Sequence, residues 1–296
     1  MKIVFDIYKK YFMRNLKIFI DLTRLNKPIG YMLLFWPCTW GLAFANSLSQ
    51  NINLFIYYLI LFFLGSVLMR SAGCIVNDIV DKDFDKKVQR TKKRPIASGE
   101  ISVTRGIIYV LILCSSALFI LLQFNFFTIA LGLGSMFLAF SYPYMKRVTY
   151  WPQLFLGITF NWGIIMSYTA FSENISIEII YLYLSAIFWT LGYDTIYGAQ
   201  DMIDDEIIGV KSTSIKFKKN IKFFVSICYL VVAIILIWLF TKYIDFNLFT
   251  IFLFIFFLSL IYQLKIFNEK KPISCLKAFK VNNLSGFLLF LAIFSI

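Results

Sequence analysis

The chain has 296 residues, is 60% hydrophobic and only 15% charged, and has a mean hydropathy of +0.77. A soluble globular chain is nearer half apolar and about a quarter charged, so this composition describes an integral membrane protein. There is no histidine, and the five cysteines (Cys38, Cys74, Cys114, Cys228, Cys275) form no CxxC pair, which leaves zinc sites and disulfides without support.

Residues 1–20 mix Lys and Arg with apolar residues at helical spacing. They read as an amphipathic helix lying on the membrane surface, not as a signal peptide. Nine apolar spans follow, at 29–47, 54–75, 106–122, 126–141, 152–171, 177–192, 223–240, 246–262 and 284–296. The last is shorter than the roughly 17–25 residues that a crossing helix needs. Pro37 is expected to kink the first span. The expected architecture is all-α and membrane-embedded, with about nine transmembrane helices. It forms one domain over 1–296, in which 1–27 is an interfacial segment.

With the N-terminus on the cytoplasmic side, 28 of the 29 Lys and Arg fall in cytoplasmic segments. Only Lys242 falls outside, and the opposite loops carry Glu173, Glu178 and Asp245. This is the positive-inside distribution, expected of a bacterial inner membrane protein. The net charge of +13 then reflects topology and attraction to anionic lipid. It argues against a nucleic-acid partner, because the bases are split among several membrane loops.

The stretch "NDIVDKDFDKKVQRTKKRP", 77–95, places four acids and seven bases beside an apolar span. Charge at a bilayer is costly unless it is used. Asn77, Asp81 and Asp85 are spaced i, i+4, i+8 and fall on one helical face, with Arg70 seven residues earlier on the same stripe. Asp78 and Asp83 point elsewhere. Like charges four apart destabilise a helix, and a bridging cation removes that penalty. Oxygen ligands without His or Cys suit Mg2+. The pattern recurs in "GYDTIYGAQDMIDDEIIGVKSTS", where Asp201 and Asp205 are again four apart, Asp194 precedes them by seven and Lys211 follows. Two acidic stripes at the cytoplasmic ends of even-numbered spans imply one shared site, although no other internal repeat is evident. Metal between carboxylates, ringed by bases, is a diphosphate site. Placed at the mouth of an apolar bundle, it suggests a lipid diphosphate whose allylic carbon ionises and is attacked by an electron-rich acceptor.

The pair NxxxDxxxD and DxxxD resembles the signature of the UbiA superfamily of intramembrane prenyltransferases. The strings "RLNKPIGYMLLFWPCTW", "LMRSAGCIVNDIVDKDFDKKVQRTKKRPIASG", "YPYMKR", "YDTIYGAQDMIDD", "IGVKSTSI" and "CLKAFKVNN" resemble its 4-hydroxybenzoate polyprenyltransferase branch, over nearly the whole chain. One departure is visible: Ile203 stands where the family often has an acid, off the 201/205 stripe. The resemblance implies nine helices around a central cavity, with both Asp motifs facing each other on the cytoplasmic side. It further implies Mg2+-dependent transfer of a polyprenyl group from polyprenyl diphosphate to carbon 3 of 4-hydroxybenzoate in ubiquinone biosynthesis.

On this reading Asp81, Asp85, Asp201 and Asp205 hold Mg2+, with Asn77 as a neutral oxygen ligand or a phosphate contact. Arg70, Lys146 and its YxxxK partner Tyr142 meet the diphosphate, and Lys211, Arg24 and Lys27 assist substrate binding. Asp194 orients the acceptor phenol or a cation. Lys146 and Arg147 are adjacent and point in different directions, so Arg147, with its planar fork, is assigned to the acceptor carboxylate. Lys92, Lys93 and Arg94 read as an orientation and lipid-surface cluster. Alternatives are relatives acting on menaquinone or haem O precursors, which share the Asp motifs, and a multipass transporter, which places its charges nearer the bilayer midplane. A CDP-alcohol phosphotransferase carries an Asp-Gly and an Ala-Arg between its acids, and this chain shows neither. The charge distribution predicts that cysteine-reactive probes at Lys92 and Lys216 report the cytoplasmic side and probes at Glu173 and Asp245 the opposite side. A cytoplasmic signal from position 173 breaks the nine-span topology.

Overall fold

The computed structural model describes residues 2–89 and 91–296, and their side chains except those of 2–8 and 11. Among the described residues there are thirteen α-helices and no strand. They are α1 (Lys2–Thr23), α2 (Ile29–Ser49), α3 (Ile52–Val80), α4 (Lys82–Asp85), α5 (Val103–Leu121), α6 (Phe126–Val148), α7 (Pro152–Ser172), α8 (Ile177–Gly198), α9 (Met202–Ile207), α10 (Thr213–Lys216), α11 (Ile221–Leu239), α12 (Leu248–Ile266) and α13 (Pro272–Phe294). The helix starts follow local chemistry. Asn51, Ser102, Asn125, Ser176, Ser212 and Asn247 each accept a hydrogen bond from the backbone N–H three residues on. α7 and α13 open on a proline, whose missing N–H is no loss in the first turn.

Among the described residues, eight helices are long and apolar enough to cross a membrane: α3, α5, α6, α7, α8, α11, α12 and α13. The expected first span, α2, has 21 residues and no charge, but its tryptophans, Pro37 and Asn46 lower its hydropathy. α2 runs through Pro37 without interruption. The last expected span is corrected: α13 has 23 residues and begins at Pro272, not at 284. Its polar run Lys277, Lys280, Asn282 and Asn283 hid its first half. Asn282 is buried and donates to Gln263 of α12, which also accepts from Tyr229 of α11. Hydrogen-bonded polar side chains are the form in which polar residues persist in such an interior.

α1 docks on α3 through its C-terminal half. Leu22 is fully buried with Ile75 and Ile96, and Phe19 meets Tyr109 of α5 edge-on at 5.2 Å. Upstream, Lys9, Lys10, Phe12 and Met13 are exposed, as an interfacial helix requires. The part of the amphipathic pattern carried by the side chains of residues 1–8 and 11 lies outside the described residues.

The bundle is built from two similarly connected sets. α2 packs on α3 and α3 on α5; α7 packs on α8 and α8 on α11. After α3, and again after α8, comes an acidic loop with a short helix. The sets join where α2 and α7 pack, and there each helix contributes a glycine. A Cβ on Gly41 would fall 2.2 Å from Ser167 Oγ and 2.3 Å from the Ile164 carbonyl oxygen, and one on Gly163 would fall 2.4 Å from Cys38 Sγ. Small residues permit this backbone approach between helices in lipid. Gly41→Ala is therefore expected to destabilise the protein by about 1–3 kcal/mol or more through overpacking. Gly134→Ala, where a Cβ meets nothing within 4 Å, should be neutral. Thermal midpoints in detergent provide the check.

Candidate active site

Neither acidic stripe continues as one unbroken helix. α3 stops at Val80, and Asp81 caps it with φ −93° and ψ 4° before α4 begins. The spacing survives because the Asp81 N–H donates to the Asn77 carbonyl (2.9 Å) and the Asp85 N–H to the Asp81 carbonyl (2.8 Å). In the second stripe α8 ends at Gly198, Asp201 precedes α9, and the Asp205 N–H donates to the Asp201 carbonyl (2.9 Å). The expected helical face is thus corrected to a helix end plus one further turn, at each of the two places.

Both stripes open onto one cavity of about 1530 Å³, whose lining includes Asn77, Asp81, Asp85, Asp201 and Asp205 together with Arg24, Lys27, Arg70, Tyr142, Lys146 and Asp194. Deeper, the wall is apolar, with Phe62, Phe124, Phe140 and Trp162. Asp83 and Asp204 are exposed, and Ile203, where the family often has an acid, is 73% exposed and outside the lining.

The first stripe is held by cations from three other segments. Asp78, expected to point away, is 1% exposed. Its Oδ1 accepts from Arg24 Nη2 at 2.5 Å and from Arg94 Nη1 at 3.1 Å. Arg94 also donates to Asp85 Oδ2 at 2.7 Å. Lys146 donates to Asp81 Oδ2. Arg24 adopts φ +58° where the chain leaves α1, a conformation rare outside glycine that is tolerated where the surroundings hold it.

Arg94 is thus corrected from a surface-cluster residue to the bridge between two buried carboxylates. A usable signal lay just beyond it: "PIA" is an apolar step in a charged loop, and Ile96 and Ala97 are buried, which folds Arg94 inward.

Arg147 and Lys211 do not line the cavity. Arg147 donates to the Val80 carbonyl at 2.8 Å and lies over the Phe84 ring at 5.1 Å. The Lys211 N–H donates to the Lys146 carbonyl at 2.9 Å, and its Nζ to the Val148 carbonyl at 3.2 Å. These two bases brace the end of α6.

Among the described residues no three Asp, Glu or Cys side chains converge to enclose an ion by themselves. Asp81 Oδ1 is nonetheless buried and accepts no hydrogen bond, and every potential donor atom on the two stripes is oxygen. Such a set fits Mg2+, which takes one or two carboxylates and completes its shell with phosphate oxygens and water.

The model of the UbiA prenyltransferase family matches residues 34–291. The chain belongs to the UbiA prenyltransferase family. It is 49% identical over 213 residues to the mitochondrial 4-hydroxybenzoate polyprenyltransferase of Caenorhabditis elegans, covering 72% of this chain and 59% of that protein. It is 46% identical over 210 residues to the Homo sapiens protein of the same name, covering 71% and 56%. The chain therefore spans less than two thirds of the length of these relatives. The fold is shared with the apo structure of a UbiA homologue from Aeropyrum pernix K1, with TM-score 0.74 at 21% identity over 88% of this chain and 96% of that one. A UbiA homologue from Archaeoglobus fulgidus, solved bound to GPP and Mg2+, aligns with TM-score 0.63 at 15% identity over 94% and 100%.

Removing one partner from a buried ion pair costs about 3–5 kcal/mol, because the other charge is stranded. Arg94→Ala should therefore lower both thermal stability and turnover, whereas Lys92→Ala, at an exposed position, should change neither. Equal behaviour of the two variants would show that the Arg94 bridge is unimportant.

Proposed function

We propose that this protein transfers a polyprenyl group from polyprenyl diphosphate to carbon 3 of 4-hydroxybenzoate, the step that attaches the lipid tail in ubiquinone biosynthesis. The observation that carries this reading is one cavity with carboxylates and bases at its mouth and an aromatic, apolar interior. The names of the relatives supply the acceptor. Over the whole of 1–296 the chain then acts as one prenyltransferase domain.

Asn77, Asp81, Asp85, Asp201 and Asp205 would hold Mg2+, which supplies Lewis-acid pull on the leaving diphosphate. Arg24, Lys27 and Lys146 place positive charge at the same mouth and neutralise the diphosphate as it departs. The bond from the allylic carbon to oxygen breaks and its electron pair leaves with the diphosphate. Carbon 3, ortho to the phenol oxygen, attacks the allylic carbon, and its proton then leaves to restore the ring. Phe62, Phe124, Phe140 and Trp162 keep water from the cation and offer it π faces. No strong base is needed to start, which suits a chain without histidine.

The concentration of bases on the site's side of the membrane supports opening of the cavity to the cytoplasm of a bacterial cell. The relatives are named mitochondrial.

Asp81→Asn or Asp205→Asn should lower turnover by about two orders of magnitude or more, the scale for losing an electrostatic catalytic contact. EDTA should abolish transfer of radiolabelled prenyl groups and Mg2+ should restore it. Full activity in EDTA-treated protein rejects the metal-dependent reading.

A further inference from the structure

At the end of the bundle away from the acidic stripes, where α8 begins and α11 ends, the surface holds a second, smaller hollow of about 260 Å³. Phe44 of α2, Glu178 and Tyr181 of α8, Trp238 of α11, and Lys242 and Tyr243 just after it line this hollow. Its floor is fixed by packing. Phe44 is buried and meets Phe240 edge-on at 6.0 Å, and Phe240 packs against Tyr243 at 6.3 Å. Its outer wall is the edge-on pair of Tyr181 and Trp238, with ring centroids 4.6 Å apart. Trp and Tyr collect at this level of membrane proteins, at the boundary between hydrocarbon and water.

Two opposite charges stand in the same hollow. Lys242 is the one base of 29 that the charge distribution leaves on this face. It belongs to the short 3-10 turn Thr241–Tyr243, and its Nζ lies over the Tyr243 ring at 5.0 Å from the centroid. Glu178 sits in the first turn of α8. The two interact electrostatically, yet no salt bridge among the described residues includes either of them. Neither charge is therefore spent in a contact ion pair, and the hollow as a whole is neutral.

A matching guest carries an anion and a cation a few bonds apart and lies level with the membrane surface. The headgroup of an aminophospholipid does both. Its phosphate suits Lys242, a point charge. Its primary ammonium has three N–H donors for the Glu178 carboxylate, with the π faces of Tyr181 and Trp238 beside it. An anionic phospholipid would set a like charge against Glu178, and a quaternary ammonium has no N–H to donate. The hollow is smaller than the roughly 300–1,000 Å³ of a site for a drug-sized ligand, which is the scale of a headgroup and not of a whole lipid. The chains have a separate path: Leu230, Ile234 and Trp238 are four apart on α11, and all three are exposed. This apolar track runs from the hollow toward the middle of the span, and a soluble zwitterion has no use for it. We propose that this hollow binds the headgroup of a phospholipid with a primary ammonium, of the phosphatidylethanolamine type, in the leaflet opposite the acidic stripes.

The test uses full-length protein purified in detergent, stripped of lipid and titrated with phosphatidylethanolamine, phosphatidylcholine or phosphatidylglycerol of identical acyl chains. Native mass spectrometry counts the bound lipid. Wild-type protein should take its first phosphatidylethanolamine about tenfold more tightly than phosphatidylglycerol, near the usual scale for one charged hydrogen bond. Glu178→Gln should erase that preference by weakening phosphatidylethanolamine alone. Lys242→Gln should weaken all three lipids, since each carries the phosphate, and Trp238→Ala should weaken phosphatidylethanolamine with the charges intact. All three positions are exposed, so the lipid-free thermal midpoints of the variants should match that of wild type. Phosphoethanolamine without acyl chains should not compete at the same concentrations. Equal affinity of wild type for the three lipids overturns the proposal. So does a preference that survives Glu178→Gln, an affinity untouched by Lys242→Gln, or displacement of the lipid by chain-free phosphoethanolamine.

Discussion

Three carboxylates within eight residues, Asp78, Asp81 and Asp85, are buried at the edge of an apolar bundle. Isolated buried carboxylates would shed their charge by taking up protons, because desolvation penalises the ionised form. Cations reach them from elsewhere: Arg24 from the α1–α2 connection, Arg94 from the loop after α4, and Lys146 from α6. Much of the architecture on this side of the molecule follows from that requirement. α1 must dock on α3 to deliver Arg24, and the loop 91–101 must fold inward, burying Ile96 and Ile101 with Leu22 and Ile75. A small apolar cluster thus holds a charged one in place.

The second acidic stripe occupies the equivalent position in the other half of the bundle. The α2–α7 packing, with Gly41 and Gly163 facing the opposite helix, joins the two halves at close range. The site is therefore not a loop placed on a scaffold. It lies where two similar helical sets converge, so that neither set alone presents both stripes to the cavity.

The membrane-spanning pattern was legible in the sequence because a bilayer demands long apolar runs, and the acidic stripes because carboxylates four apart require a reason. Three features were less legible. The breaks at Asp81 and Asp201 leave the four-residue spacing intact, so spacing could not reveal them. The first half of α13 is polar because Asn282 is satisfied by Gln263, a partner nineteen residues away on another helix. Arg94 stands in a run of bases whose composition matches any cytoplasmic loop, and only the buried Ile96 beyond it separates its role from that of Lys92. In each case the deciding information is a tertiary contact, which neither periodicity nor composition records.

The cavity also has a side wall with two faces. Leu111 and Leu118 of α5 and Leu133 of α6 line it, and each is more than two-fifths exposed on a helix long and apolar enough to cross a membrane. α5 and α6 pack only sparingly on each other along this wall. An enclosed pocket measures its guest by length, because the far end is solid. A compartment whose wall is shared with lipid has no such ruler: each further isoprenoid unit passes from one hydrocarbon surroundings into another at little net cost. On the activity proposed above, the length of the tail would be set by whatever synthesises it and not by this cavity.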